Sequence, residues 1–177
     1  MSSPAAPDTP RIASWAYLSI GLTAGSVIAL QICIMRIFAV GNWVHFGSMV
    51  VSLALLGFGL TSAVMCAGKD WFERNWAAVA GGALLLFGPL AVAANLIAQQ
   101  NPFNAIFLIS DPAQKWLLLA NFLLYFLPFL AGAFFIGVVL LRSRTAFNRV
   151  YFADLAGSGL CGLSMLGAMY LFPPENL

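Results

Sequence analysis

Five stretches of about 20 apolar residues, broken only by short gaps that hold most of the charge, constrain this chain more than any other feature. A soluble domain must coat its core with polar segments. Here 62% of the 177 residues are hydrophobic and 8% charged, so the apolar surplus is stable only against hydrocarbon. In a bilayer the backbone must satisfy its own hydrogen bonds, and the stretches lack the alternation of barrel strands, so each is expected to be a helix. The expected fold is all-α, a polytopic transmembrane bundle with spans at residues 13–34, 45–67, 76–98, 116–141 and 153–172. Residues 1–12 read as a disordered amino-terminal tail and 173–177 as a carboxyl-terminal one. Pro89 and Pro128 fall inside the third and fourth spans and should kink them.

The first run is longer than a signal-peptide core and has no small-x-small cleavage site before Arg36, so it is expected to remain as a membrane helix. Charge then orients the bundle. Arg11, Lys69, Arg74, Arg142, Arg144 and Arg149 fall on the amino-terminal side, against Arg36 and Lys115 on the other. The positive-inside rule therefore puts the amino terminus in the cytoplasm and the carboxyl terminus outside. The net charge of +2 is small and dispersed, which argues against nucleic-acid binding. The longest outer connection, 99–115, holds Asn101-Pro102 and Asp111-Pro112 turns around an apolar stretch, 103–109, expected to lie in the interface.

Few residues suggest chemistry. Cys33, Cys66 and Cys161 are widely spaced within or at the ends of apolar runs and read as packing residues, not as a disulfide framework or zinc site. Asp154 opens the fifth span, where an intramembrane carboxylate could carry a proton or bind a cation. The structural alternative is stabilisation of a helix amino terminus, with Arg149 or Arg144 neutralising the charge. Arg36 should snorkel to the outer interface beside Trp43 and His45, a membrane thickness away from Asp154. His45, the sole histidine, reads as an interface residue in preference to a pigment or haem ligand. No nucleophile and base pair, metal cluster or phosphate loop stands out, so neither catalysis, a metal nor a cofactor is expected.

Small residues point to helix packing. Gly57 and Gly59 in the second span, and Ala153, Gly157, Ser158, Gly159, Cys161 and Gly162 in the fifth, form strips that let backbones approach closely. The second and fifth spans are expected to use them against each other or against a partner in the cytoplasmic half of the bilayer. The fourth span carries Trp116, Phe122, Tyr125, Phe126, Phe129, Phe134 and Phe135; these fit helix packing, and also a flat lipid-soluble ligand such as a quinone or carotenoid.

Arg36-Ile37-Phe38 running into His45-Phe46 and Ser52-Leu53-Ala54-Leu55-Leu56-Gly57, followed far downstream by Tyr151-Phe152-Ala153-Asp154-Leu155, resembles the amino-terminal membrane domain of bacterial spermidine-synthase-like proteins. The resemblance covers the first two spans and the start of the fifth. It implies a multi-pass domain of the bacterial inner membrane that precedes an aminopropyltransferase-type domain. Two departures accompany it. Gln31 stands where the family tends to have Glu, so a carboxylate role does not transfer to it. The Gly-rich turn and acidic residues of an aminopropyltransferase are also missing before Leu177. The expectation is a non-catalytic membrane subunit packed against other integral membrane proteins. A polyamine-like cation transporter and an enzyme's membrane anchor are the alternatives.

Overall fold

The computed structural model describes residues 14–41, 44–101, 107 and 110–171; the side chains of 14, 40, 41 and 44–46 fall outside that set. The described residues form helices without a strand: α1 (Ser14–Gly41), α2 (Val44–Ala67), α3 (Lys69–Arg74), α4 (Trp76–Gln100), α5 (Pro112–Arg142) and α6 (Phe147–Leu171), with a 3-10 turn at Arg144–Ala146. Five of them, all but α3, are long and apolar enough to cross a membrane. The chain is thus an all-α bundle of membrane-spanning helices. Several boundaries differ from those expected from the sequence; α5, for one, starts at Pro112 and not near residue 116. α1 continues beyond Arg36 to Gly41, α6 begins at Phe147, and the second gap winds into the short α3. A cation at the bilayer edge does not end a helix, and polar residues such as Asn148 and Arg149 can continue one where water or headgroups solvate them. The stretch 103–109 lies outside the described residues apart from the exposed Phe107.

α5 is the centre. Asp111 accepts a hydrogen bond from the Ala113 amide at 2.9 Å and Pro112 takes the first helical position, so α5 starts with its free amides partly satisfied. Its 31 residues extend about 46 Å, longer than a hydrocarbon core of about 30 Å. α5 packs against α4, α2 and α1, and it runs unbroken through the buried Pro128, as α4 does through Pro89. Tyr125, Phe129 and Phe135 are buried while Phe122, Phe126 and Phe134 are half-buried, so most of the aromatic load fills the interior.

Two apolar clusters divide the core along its length. One gathers Ile20, Met65, Phe72, Phe135 and Val138; the other gathers Val27, Ile34, Leu53, Tyr125 and Phe129. At the end nearer the first cluster, Phe72 of α3 stacks on Phe134 at 6.0 Å, Arg144 pairs with Glu73, and the Arg142 guanidinium lies 5.9 Å over the Trp76 ring. Lys69 and Arg74 of α3 thus share one end of the bundle with Arg142 and Arg144, the grouping that charge sorting anticipates.

Candidate functional site

The glycines make their closest approach to a neighbouring helix at the seam of α1 and α6. A Cβ built on Gly157 would overlap the Gly21 carbonyl, and one on Gly25 would overlap the Cys161 sulfur and come within 2.8 Å of the Gly157 oxygen. A Cβ on Gly21 would meet the Ala153 oxygen at 3.0 Å, and farther along one on Gly162 would meet Ile28 at 3.4 Å. Residue numbers rise together on both helices, so α1 and α6 run parallel, as the first and fifth members of an alternating five-span chain must. The seam interleaves Gly21 and Gly25 with Ala153, Gly157 and Cys161, each set spaced by four residues. Gly21 and Gly25 were absent from the sequence-based strips, although a Gly-x-x-x-Gly spacing inside an apolar run is a readable signal.

The expected use of the glycine pairs needs correction. Residues two apart on a helix differ by about 200° in direction, so a Gly-x-Gly pair cannot share one contact face. Gly57 lies 3.4 Å (as a built Cβ) from the backbone of Phe129 and Leu130 in α5, whereas Gly59 has open space. Gly157 sits on α1, whereas Gly159 has open space. Among the described residues α2 and α6 share no interface: α2 packs on α5 and α1, and α6 packs chiefly on α1. Ser158 is half-buried beside this seam and Gly162 is buried.

Asp154 lies in the third turn of α6, because the helix starts at Phe147. The partial positive charge of a helix terminus fades within its first turn, so the proposed terminal role has no basis here. Nor is the carboxylate neutralised as expected. Arg144 is engaged with Glu73, and among the described residues Asp154 has no ion pair or hydrogen bond. It is half-buried. Arg36 behaves differently from a simple snorkelling cation: its guanidinium donates to the Met169 carbonyl at 3.4 Å, in the last described turn of α6. That point is fifteen residues from Asp154 along the same helix, about 22 Å, so the two charges are far apart as anticipated. Gln31 is half-buried without a hydrogen-bond partner among the described residues. His45 belongs to the first turn of α2, but its side chain, like Trp43, lies outside the described residues.

Polar contacts also join α4 to α5, and none was singled out from the sequence. Asn121 donates to the Asn101 carbonyl at 3.2 Å and to Leu117 at 2.9 Å, and the Tyr125 hydroxyl donates to Asn95 at 3.5 Å. Tyr125 also meets Phe38 edge-on at 5.7 Å. The crevice lined by Phe38, Met49, Val50, Leu53, Leu118, Phe122 and Tyr125 encloses about 10 Å³, room for about one water and not for a quinone ring. Among the described residues no group of three or more His, Cys, Asp or Glu is placed to hold a metal. Cys33, Cys66 and Cys161 are free thiols.

Comparison with protein-family models, with curated proteins and with solved structures finds no match in any of the three.

Proposed function

We propose that this chain is a non-catalytic, multi-pass membrane subunit that packs against other integral membrane proteins. The observation that carries the reading is the set of glycines with open space beyond them: Gly59 on α2, Gly81, Gly82 and Gly88 on α4, and Gly159 and Gly167 on α6. A glycine inside a helix costs about 1 kcal/mol relative to alanine in water, and small residues in membrane helices are concentrated where another backbone approaches. Inside the bundle the glycines at 21, 25, 57 and 157 are used in that way. The outward ones are suited to the same use by a neighbour. The interior supports the same reading, since Tyr125, Phe129 and Phe135 fill it with apolar bulk where a solute pathway would need polar lining. Purification at native expression should recover the chain with at least one other membrane protein in fixed ratio; recovery only as a lone monomer overturns the proposal. We place the chain in the bacterial inner membrane with a cytoplasmic amino terminus.

One observation favours a second reading, a small-cation transporter of the polyamine type. Asp154 is half-buried, lies two turns inside α6 and lacks a countercharge among the described residues. Uptake in reconstituted vesicles should then fall to background with Asp154→Asn; unchanged uptake removes this reading. The resemblance to spermidine-synthase-like membrane domains supports a third role, as anchor of an aminopropyltransferase-type domain. Arg36 and the segment from Tyr151 to Leu155, which carry much of it, belong to the packed pair of α1 and α6. Reading the gene past Leu177 tests it.

A further inference from the structure

At the charged end of the bundle, where α1 and α6 begin, Tyr17, Asn148, Arg149, Phe152 and Ala153 line an open groove of about 390 Å³. Its origin lies in the glycine seam. Gly21 and Ala153 bring the two backbones together, and the large side chains of Tyr17 and Phe152, just before the point of closest approach, line the wedge of space left there. The chemistry is two-sided. The lining itself is almost wholly apolar, from Tyr17, Phe152 and Ala153 and the carbon atoms of Asn148 and Arg149, while the exposed ends of these last two carry hydrogen-bond donors and a fixed positive charge beside it.

The charges nearby distinguish Arg149. Arg144 pairs with Glu73 and Arg142 lies over Trp76, but Arg149 has no ion pair or hydrogen bond among the described residues. Asp154, the nearest carboxylate along α6, is not part of the lining and likewise has no partner among the described residues. The exposed Trp15, two residues ahead of Tyr17 on α1, is a residue type that settles at headgroup depth. An unspent guanidinium beside an apolar wedge at that depth matches a ligand with an anionic head and a hydrocarbon body.

We propose that this groove is a binding site for one anionic phospholipid of the adjacent leaflet, with Arg149 and Asn148 taking the phosphate and Tyr17, Phe152 and Ala153 the glycerol and the first part of an acyl chain. The site depends neither on a protein partner nor on transport.

The test uses the full chain in nanodiscs of phosphatidylcholine containing a minor share of phosphatidylglycerol, released for native mass spectrometry. The wild type should retain one phosphatidylglycerol in preference to phosphatidylcholine. Arg149→Gln should weaken that retention about fivefold, the weight of about one basic side chain against an anionic lipid. Arg149→Lys should keep most of it, and Arg144→Gln, whose side chain is engaged with Glu73, should keep all of it. Glycerol phosphate or inorganic phosphate in excess should not displace the lipid. Equal retention of both lipids, undiminished retention by Arg149→Gln at wild-type thermal stability, or full displacement by free phosphate each overturns the proposal.

Discussion

Gly157 of α6 rests on the backbone of Gly21 of α1, so closely that a methyl group at position 157 would occupy the space of the Gly21 carbonyl. Neither backbone can yield as a flexible side chain would. Gly157→Ala should therefore destabilise the bundle by about 2 kcal/mol, the range of overpacking in a tight interior. Gly159→Ala, two residues away in open space, should change stability by less than about 0.5 kcal/mol. Unfolding in mixed detergent micelles measures both. Equal effects would mean that α1 and α6 do not meet through this face.

The bond from Arg36 to the Met169 carbonyl ties α1 to the last described turn of α6. A cation there also complements the negative end of the helix dipole. Arg36→Gln should raise amide exchange in the last turn of α6, by the weight of about 1 kcal/mol, and leave the first turns of α6 unaffected. Unchanged exchange in that turn would show that the contact contributes nothing.

Between α4 and α5, Asn121 holds the carbonyl of Asn101, which caps α4. Interhelical hydrogen bonds in membranes average about 0.6 kcal/mol and reach about 1.7. Asn121→Ala should fall toward the upper part of that range, because the residue also bonds Leu117. Tyr125→Phe, removing only a 3.5 Å contact to Asn95, should cost less than Asn121→Ala. The reverse order in thermal stability would contradict this weighting.

Thr61 is buried at the interface of α2 and α5, near Gly137, and its Oγ1 has no hydrogen-bond partner among the described residues. Replacing an unsatisfied buried hydroxyl by a methyl of the same shape removes a desolvation cost of about 1 to 3 kcal/mol. Thr61→Val should accordingly be neutral or stabilising. A clear loss of stability would reveal a partner for the hydroxyl.

The spans were legible because bilayer thickness imposes a length and apolarity on each that no other constraint overrides. The ends were less legible: α1 passes Arg36 and α6 starts at Phe147, since hydropathy falls at the interface while the helical backbone continues. Small residues could be recognised as packing surfaces, but their partners could not. Sequence spacing says that Ala153, Gly157 and Cys161 share a face; that Gly21 and Gly25 receive it depends on how five helices are arranged. The pairing of Gly57 with Gly59 failed for a simpler reason, the helical turn of about 100° per residue. Asp154 was recognisable as unusual, but its isolation from Arg144 followed only once Glu73 was seen to engage that arginine.

On the function proposed, the outward glycines seat another membrane protein. Photo-crosslinking residues placed one at a time at Gly81, Gly88 and Gly159, with the exposed Leu18 as reference, test it in native membranes. At least one glycine position should give one discrete adduct with an integral membrane protein, formed in fixed ratio to the chain and absent at Leu18. Adducts with lipid alone at every glycine position would contradict it.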